Sequence, residues 1–379
     1  MIFTASCDQL ATVISRAAQG LPPHPLQDIY GMIRLETDLD AGMILMTAGD
    51  GDVTVTASVS CLPQAYGSCV VRGRVLAEMS KYFAGSSATF EYGEKRLEIA
   101  AGKSRFTLPA GSGDAYPEWA QSPPATLRLD GEQFASAVRR VVPAASGTAP
   151  VLTAIRLEPG DGVLILVATD VARMAYASVP FQVTGAVHLG LPLGPIVPLP
   201  PPSGAALLPS KAAQRFARDL EGMVYMGWND ALIGLKLVAG DLSATEMVSR
   251  QIAGKYLPWR KVMSAEPGEF PVTGIDVKDL ARALRMAQLA AGEGGRAELA
   301  FTADGLTVSA GDEGQECSEH VDMEYQGEDV TFLLGAQDVL DGLSGCGAVA
   351  SMAFASSPAR VFLRGEGSYR WMLAPRREL

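Results

Sequence analysis

The sequence predicts an α+β chain made of three copies of one unit, each with two amphipathic helices among short antiparallel strands. Three observations predict it. One set of stripes has apolar residues at helical spacing i, i+3, i+4, i+7: Leu10, Val13, Ile14, Ala17; Phe134, Ala137, Val138, Val141; and Val277, Leu280, Ala281, Leu284. A second set follows later in each copy: Leu76, Met79, Phe83; Ala213, Phe216, Ala217, Leu220; and Ala336, Val339, Leu340, Leu343. Between them lie runs of period two, clearest where Val53, Val55, Ala57 and Val59 alternate with Thr54, Thr56 and Ser58. Such alternation marks a strand with one face buried.

In the first copy, Asp8 is the expected N-cap of the Leu10 helix. Leu21-Pro22-Pro23-His24-Pro25 stops that helix, since proline cannot continue it. Strands are expected at Met32–Glu36, Met43–Ala48, Val53–Val59 and Cys69–Arg72, then at Ala88–Tyr92, Arg96–Ala100 and Ser104–Leu108. The polar, Pro-rich run from Gly113 to Pro124 reads as a linker. The second copy opens at Leu127 and contains a hairpin, Ala154–Glu158 with Val163–Ala168, around Pro159-Gly160-Asp161-Gly162. Its segment Leu191–Pro202 is dense in proline and reads as an extended insertion or a peptide-docking element. The third copy opens near Phe270 and has a hairpin, Ala297–Phe301 with Leu306–Ala310.

Composition narrows the class. At 379 residues the chain is long for one core, and 48% hydrophobic against 19% charged residues indicates a folded protein. A net charge of −11 argues against a protein coated in Lys and Arg, but says nothing of where its basic residues gather. Five cysteines, with no C-x-x-C pair, are expected as free thiols in a reducing cytoplasm. Met1-Ile2-Phe3-Thr4-Ala5 lacks the basic start of a signal peptide, and Pro and Gly interrupt every apolar run short of a membrane span. The expectation is a soluble cytoplasmic protein without membrane attachment.

No catalytic motif emerges, and neither cofactor nor metal is expected. Gly292-Glu293-Gly294-Gly295 lacks the Lys-Ser/Thr of a phosphate loop, and Gly342-Leu343-Ser344-Gly345 misses nucleophile-elbow spacing by one residue. His24, His188 and His320 are scattered outside any metal-ligand pattern. Asp50, Asp52, Asp161 and Asp170 lie near turns, where Asp usually bonds backbone. An enzyme using these carboxylates is the remote reading.

Basic residues recur beside the apolar stripes. Lys211, Arg215 and Arg218 share the spacing of Lys278, Arg282 and Arg285. Arg139 and Arg140 lie on the second copy's first helix, Arg72, Arg74 and Lys81 flank the first copy's second helix, and Arg16 is on its first. Two readings stand: solvated helix faces, or a concave basic surface that binds DNA phosphates without sequence preference.

Several strings resemble the bacterial sliding clamp family, the beta subunits of DNA polymerase III. They are Ser104-Arg105-Phe106-Thr107-Leu108-Pro109 with Asp114-Ala115-Tyr116-Pro117; Pro150-Val151-Leu152-Thr153-Ala154-Ile155-Arg156-Leu157-Glu158; Ala168-Thr169-Asp170-Val171-Ala172-Arg173-Met174-Ala175; and Tyr256-Leu257-Pro258-Trp259-Arg260-Lys261-Val262-Met263. The similarity is divergent but spans the chain. It implies the DNA clamp fold in three domains, 1–123, 124–265 (with the insertion 191–202) and 266–379, and two protomers joined head to tail in a homodimeric ring.

The resemblance decides between the two charge readings. Helices would line the hole and turn His24, Arg72, Arg74, Lys81, Arg139, Arg140, Lys211, Arg215, Arg218, Lys278, Arg282 and Arg285 toward double-stranded DNA. His24 falls where the family often has Arg, implying a weaker or pH-dependent contact. The last helix carries Asp338 and Asp341 and no base. The resemblance further implies a pocket for short peptides of the polymerase III alpha subunit, the clamp loader and repair polymerases. Matching positions are Leu152, Thr169, Val171, Ala172, Arg173, Met174, Pro258, Lys261 and Val262, with Pro358, Met372, Leu373, Ala374, Pro375 and Arg376. Val171 and Ala172 replace more polar family residues. Phe106 and Leu108 match one side of the ring interface, and Gln288 and Leu289 the other. The function implied is a non-enzymatic processivity factor; the alternative is an accessory or phage paralogue without normal loading.

Overall fold

A computed structural model describes residues 1–183, 204–218, 220–239, 243–292, 295–312, 314–356 and 359–375. The Pro-rich segment 191–202, Pro358 and Arg376 lie outside them. The described residues form seven α-helices: α1 (Cys7–Ala17), α2 (Gly73–Ser80), α3 (Gly131–Val141), α4 (Ser210–Phe216), α5 (Trp259–Met263), α6 (Val277–Ala290) and α7 (Ala336–Leu343). Their strands pair antiparallel. The chain divides into two compact units, 1–135 with 180–251 and 136–179 with 252–379.

In the first unit, Ile2–Ser6 pairs with Leu62–Ala65 on one side and Ser87–Gly93 on the other. Arg96–Ala101 and then Ser104–Ser112 continue that sheet. The end of Ser104–Ser112 also pairs with Ser68–Arg72, which starts a second run: Met32–Asp38, Met43–Gly49, Val53–Ser60, Ala244–Arg250, Leu232–Val238, Met223–Trp228 and Leu127–Asp130. The alternating strand Val53–Ser60 thus joins distant parts of the chain through its pairing with Ala244–Arg250.

Helix α1 buries Leu10, Val13, Ile14 and Ala17, as their spacing requires. Its cap differs from expectation. Ser6 occupies the N-cap position, and Asp8 lies inside the first turn, where its charge favours the helix dipole. Gly20 is demanded by packing: a Cβ there would sit 2.3 Å from the Ala48 carbonyl oxygen. Helix α2 ends at Ser80, so Phe83 lies beyond it, with its ring 6.0 Å from both Phe90 and Phe106. Helix α4 likewise ends before Ala217 and Leu220, which are buried nonetheless. The expected linker 113–124 alternates exposed residues with anchored ones such as Gly113, Tyr116 and Pro123. Tyr116 is buried, stands edge-on to Trp119, and donates a hydrogen bond to the Met32 carbonyl at 3.2 Å.

In the second unit, the expected hairpin forms between Ala154–Pro159 and Val163–Thr169. The start of strand Arg173–Val183 pairs with Arg370–Leu373, followed by Ala359–Arg364, Val349–Ser356 and Val272–Asp276. A separate four-stranded sheet runs Gln315–Val321, Gly305–Asp312, Arg296–Thr302, Val330–Gly335. Helix α6 is capped by Asp276, whose Oδ1 accepts the Lys278 and Asp279 N–H groups at 2.8 and 3.2 Å. The Gly342–Gly345 string has a packing role: a Cβ at Gly342 would meet the Trp371 ring at 2.6 Å, and one at Gly345 the Tyr369 ring at 2.4 Å. All five cysteines are free, and no described helix is long and apolar enough to cross a membrane.

Candidate functional site

The second unit brings together three of the segments named for the peptide pocket. Arg173 and Met174 pair in register with Leu373 and Met372, and the Ala172 carbonyl accepts the Ala374 N–H at 2.8 Å. Tyr176, on the same strand, packs its ring 5.7 Å from Trp259 at the start of α5, the helix that carries Lys261 and Val262. The Tyr256 hydroxyl lies 3.4 Å from the Ala154 carbonyl and 3.3 Å from that of Val167, tying the approach to α5 to the hairpin beside Leu152. Met372 and Leu373 are buried, whereas Val171, Ala172, Pro258 and Lys261 face solvent.

The turn 169–173 is over-determined. Thr169 Oγ1 donates to the Arg173 carbonyl at 2.7 Å and accepts the Val171 N–H at 3.1 Å. Asp170 Oδ1 accepts from the N–H groups of Ala172 and Arg173 at 3.0 and 2.9 Å. These bonds hold Val171 at φ 84°, in the left-handed region that a β-branched residue avoids, with the residue 65% exposed. Such strain costs about 1–3 kcal/mol, more than the extra ~0.4–1 kcal/mol of unfolded-chain entropy that glycine would bring. Val171→Gly is therefore expected to raise stability by roughly 1 kcal/mol; a lower urea midpoint would contradict the strain.

Arg173 does more than line a pocket. Its Nε donates to Asp170 at 3.0 Å, and its Nη1 reaches Asp338 at 2.9 Å and Asp341 at 2.6 Å on α7. The guanidinium also lies over the Trp371 ring, 6.0 Å from its centroid. The acids of the last helix are thus spent on an intramolecular cation.

Segment 256–263 is fastened through Glu158, which accepts hydrogen bonds from Arg156, Arg260 and Trp259. Burial opposes ionisation of Glu158, but these bonds outweigh it and bring its pKa below the ordinary carboxylate value. Its stabilising contribution is complete above the unfolded pKa of ~4.3 and is lost as pH falls through the lower folded value. Protease cleavage near α5 should therefore accelerate in that acid window, and Glu158→Gln should flatten the dependence.

The candidate DNA-facing residues divide between the units. In the first, Arg74 donates to the Pro22 carbonyl at 2.9 Å, beside exposed His24, and Arg215 reaches the Gln19 carbonyl at 3.5 Å. Both therefore gather at the end of α1. Lys81 pairs with Glu78 at 2.7 Å. In the second, Arg282 pairs with Glu319 at 2.8 Å, and Arg140 donates to the Glu366 carbonyl at 3.2 Å with its guanidinium above Tyr369. Arg72, Arg139, Lys211, Arg218, Lys278 and Arg285 are exposed and form no ion pair among the described residues.

The candidate interface residues differ in environment. Leu108 is 6% exposed and belongs to its own unit's core, with half-buried Phe106 packed against it. Gln288 donates to Gln337 at 3.0 Å, and Leu289 is 75% exposed. Met286, exposed on the same helix, was not singled out by sequence; its signal is an apolar side chain off the buried stripe. Among the described residues, no cluster of His, Cys, Asp and Glu could hold a metal ion.

Residues 1–120 match the family model described as DNA polymerase III beta subunit, N-terminal domain. The chain is 28% identical to the beta sliding clamp of Streptomyces coelicolor, covering 97% of each. It is 25% identical to the beta sliding clamp homolog GriR of Streptomyces muensis, covering 97% of this chain and 95% of that one. The structure of the beta subunit from DNA polymerase of Streptococcus pyogenes superposes over all of both chains with a TM-score of 0.84 at 17% identity.

Proposed function

The chain belongs to the DNA polymerase III beta subunit family as a divergent member, and on that premise we propose that it is a DNA sliding clamp. It encircles duplex DNA without reading sequence and tethers a replicative polymerase, with neither catalysis nor cofactor. The observation that carries this reading is the correspondence of the whole chain to the clamp fold. Enclosure supplies processivity, so weak phosphate contacts suffice, and exposed cations such as Lys211, Arg218, Lys278 and Arg285 provide them.

We assign three domains, 1–123, 124–265 and 266–379, and a ring of two protomers joined head to tail. One side of the joint is the strand holding Phe106; the other is the region of Gln288 and Leu289. Leu108 supports the first side from within its own core. The turn 169–173, strand Arg370–Leu373 with Ala374 and Pro375, and segment 256–263 form a groove for short peptides. Pro358 and Arg376 are assigned to it from sequence alone. Its ligands are peptides of the polymerase III alpha subunit, the clamp loader and repair polymerases, in the cytoplasm.

Light scattering at micromolar concentration should give a mass near twice 39.8 kDa. With a clamp loader and ATP, the protein should stay on nicked circular DNA through a high-salt wash and slide off once the circle is cut. An accessory paralogue that has lost loading is the second reading, and His24 favours it. The acids of α7 do not, because Arg173 occupies them. Retention on circles equal to that on linear DNA would establish the accessory role instead.

A further inference from the structure

We propose that the peptide groove continues past Pro258 and Lys261 into a second cavity that binds an acidic flank of the same peptide. This inference rests on the groove reading above. The cavity, about 720 Å³, is bordered by Pro258 and Lys261, which are also assigned to the groove, so the two adjoin at those residues. Tyr256, Leu257 and Trp259 contribute apolar wall. Tyr256 and Trp259 are fixed from behind, by the hydrogen bonds to the hairpin carbonyls and to Glu158. Arg260 covers the Trp259 ring at 4.4 Å. The wall is therefore built before any ligand arrives, which lowers the ordering cost of binding.

The rim sets the charge of the ligand. Arg156, Lys255, Arg260 and Lys261 all border the cavity. Glu158 is the carboxylate bonded to two of them, Arg156 and Arg260. Lys255 and Lys261 are exposed and form no ion pair among the described residues. Four cations against one carboxylate leave a positive field over an apolar floor in a protein of net charge −11. Aspartate or glutamate beside an apolar residue answers both features. A nucleic-acid strand answers only the first, because Arg260 lies over the Trp259 ring and takes the face that base stacking would need.

The test is a phage-displayed random 16-residue library selected on the immobilised full chain and on its Lys255→Glu variant. The exposed Lys255 can be replaced without touching the groove. Selection on the wild type should return an apolar core with Asp and Glu enriched on one flank; selection on Lys255→Glu should return the same core without that enrichment. A labelled winner with its flank changed to Asn and Gln should bind the wild type roughly tenfold more weakly at low salt, with the difference vanishing as salt rises. An apolar core with no acidic bias overturns this inference and leaves the groove standing. Failure to select any apolar core overturns the groove, and this inference with it. Displacement of the acidic winner by oligothymidine, in a Lys255-dependent manner, would assign the cavity to nucleic acid instead.

Discussion

Arg173→Ala should lower the unfolding free energy by about 3–5 kcal/mol, the usual cost of stranding buried charge by removing one partner. The Arg173 side chain is 17% exposed, and its three carboxylate partners are between 20% and 24% exposed, so water can rescue little of the lost pairing. Against a total stability of about 5–15 kcal/mol this is a large fraction. The loss should be smallest when Asp338→Asn and Asp341→Asn accompany it, since two of the three carboxylates facing Arg173 are then neutral. Urea unfolding of the single and triple variants measures the difference. A loss below about 1 kcal/mol in Arg173→Ala would show the cluster to be as solvated as a surface pair. The same variant frees the turn 169–173 from α7, so it should also weaken any peptide held by Val171 and Ala172.

The second large effect concerns DNA. Lys211, Arg218 and Lys278 are exposed and outside any ion pair among the described residues, so their reversal should leave folding intact. Reversing all three to Glu should weaken binding to linear duplex at 50 mM salt by about a hundredfold or more and flatten the log–log salt slope by roughly 2.7, near 0.9 per lost phosphate contact. Titrations from 50 to 200 mM salt by fluorescence anisotropy give both quantities. Unchanged slope would mean that these cations are ordinary solvated helix faces. Arg282→Glu should do less, because Glu319 already neutralises Arg282.

The helices were legible because one face of each is core, and the apolar spacing of Leu10, Val13, Ile14 and Ala17 records that directly. Strand positions were legible for the same reason, with ends extended by a residue or more, as at Ser104–Ser112. Leu62–Ala65 was not, since it is short, contains Pro63 and buries little. Helix α5 was hidden too: five residues with two bases carry no period. The three-carboxylate cage of Arg173 joins positions far apart in sequence, and local pattern cannot encode it. Its trace was nevertheless present, as two acids at i and i+3 on α7 with no basic neighbour. The strain at Val171 was invisible because it comes from the bonds of Thr169 and Asp170, not from the valine itself.

Among the strands with one unpaired side are Ser104–Pro109, hydrogen-bonded through Arg96–Ala101, and Gln315–Val321, hydrogen-bonded through Gly305–Asp312. Open edges of this kind invite indiscriminate stacking of chains into fibres. Here the first carries exposed Arg105 and the second exposed Glu316. Edges of one kind repel their own copies and attract the other kind, so the chain sorts its contacts by sign before any shape is tested. Unlike edges joined in succession either close on themselves or grow without limit. In the ring proposed above, such edges would make solubility at high concentration and ring closure one property, and a mutation that opened that ring would be a candidate nucleus for filaments.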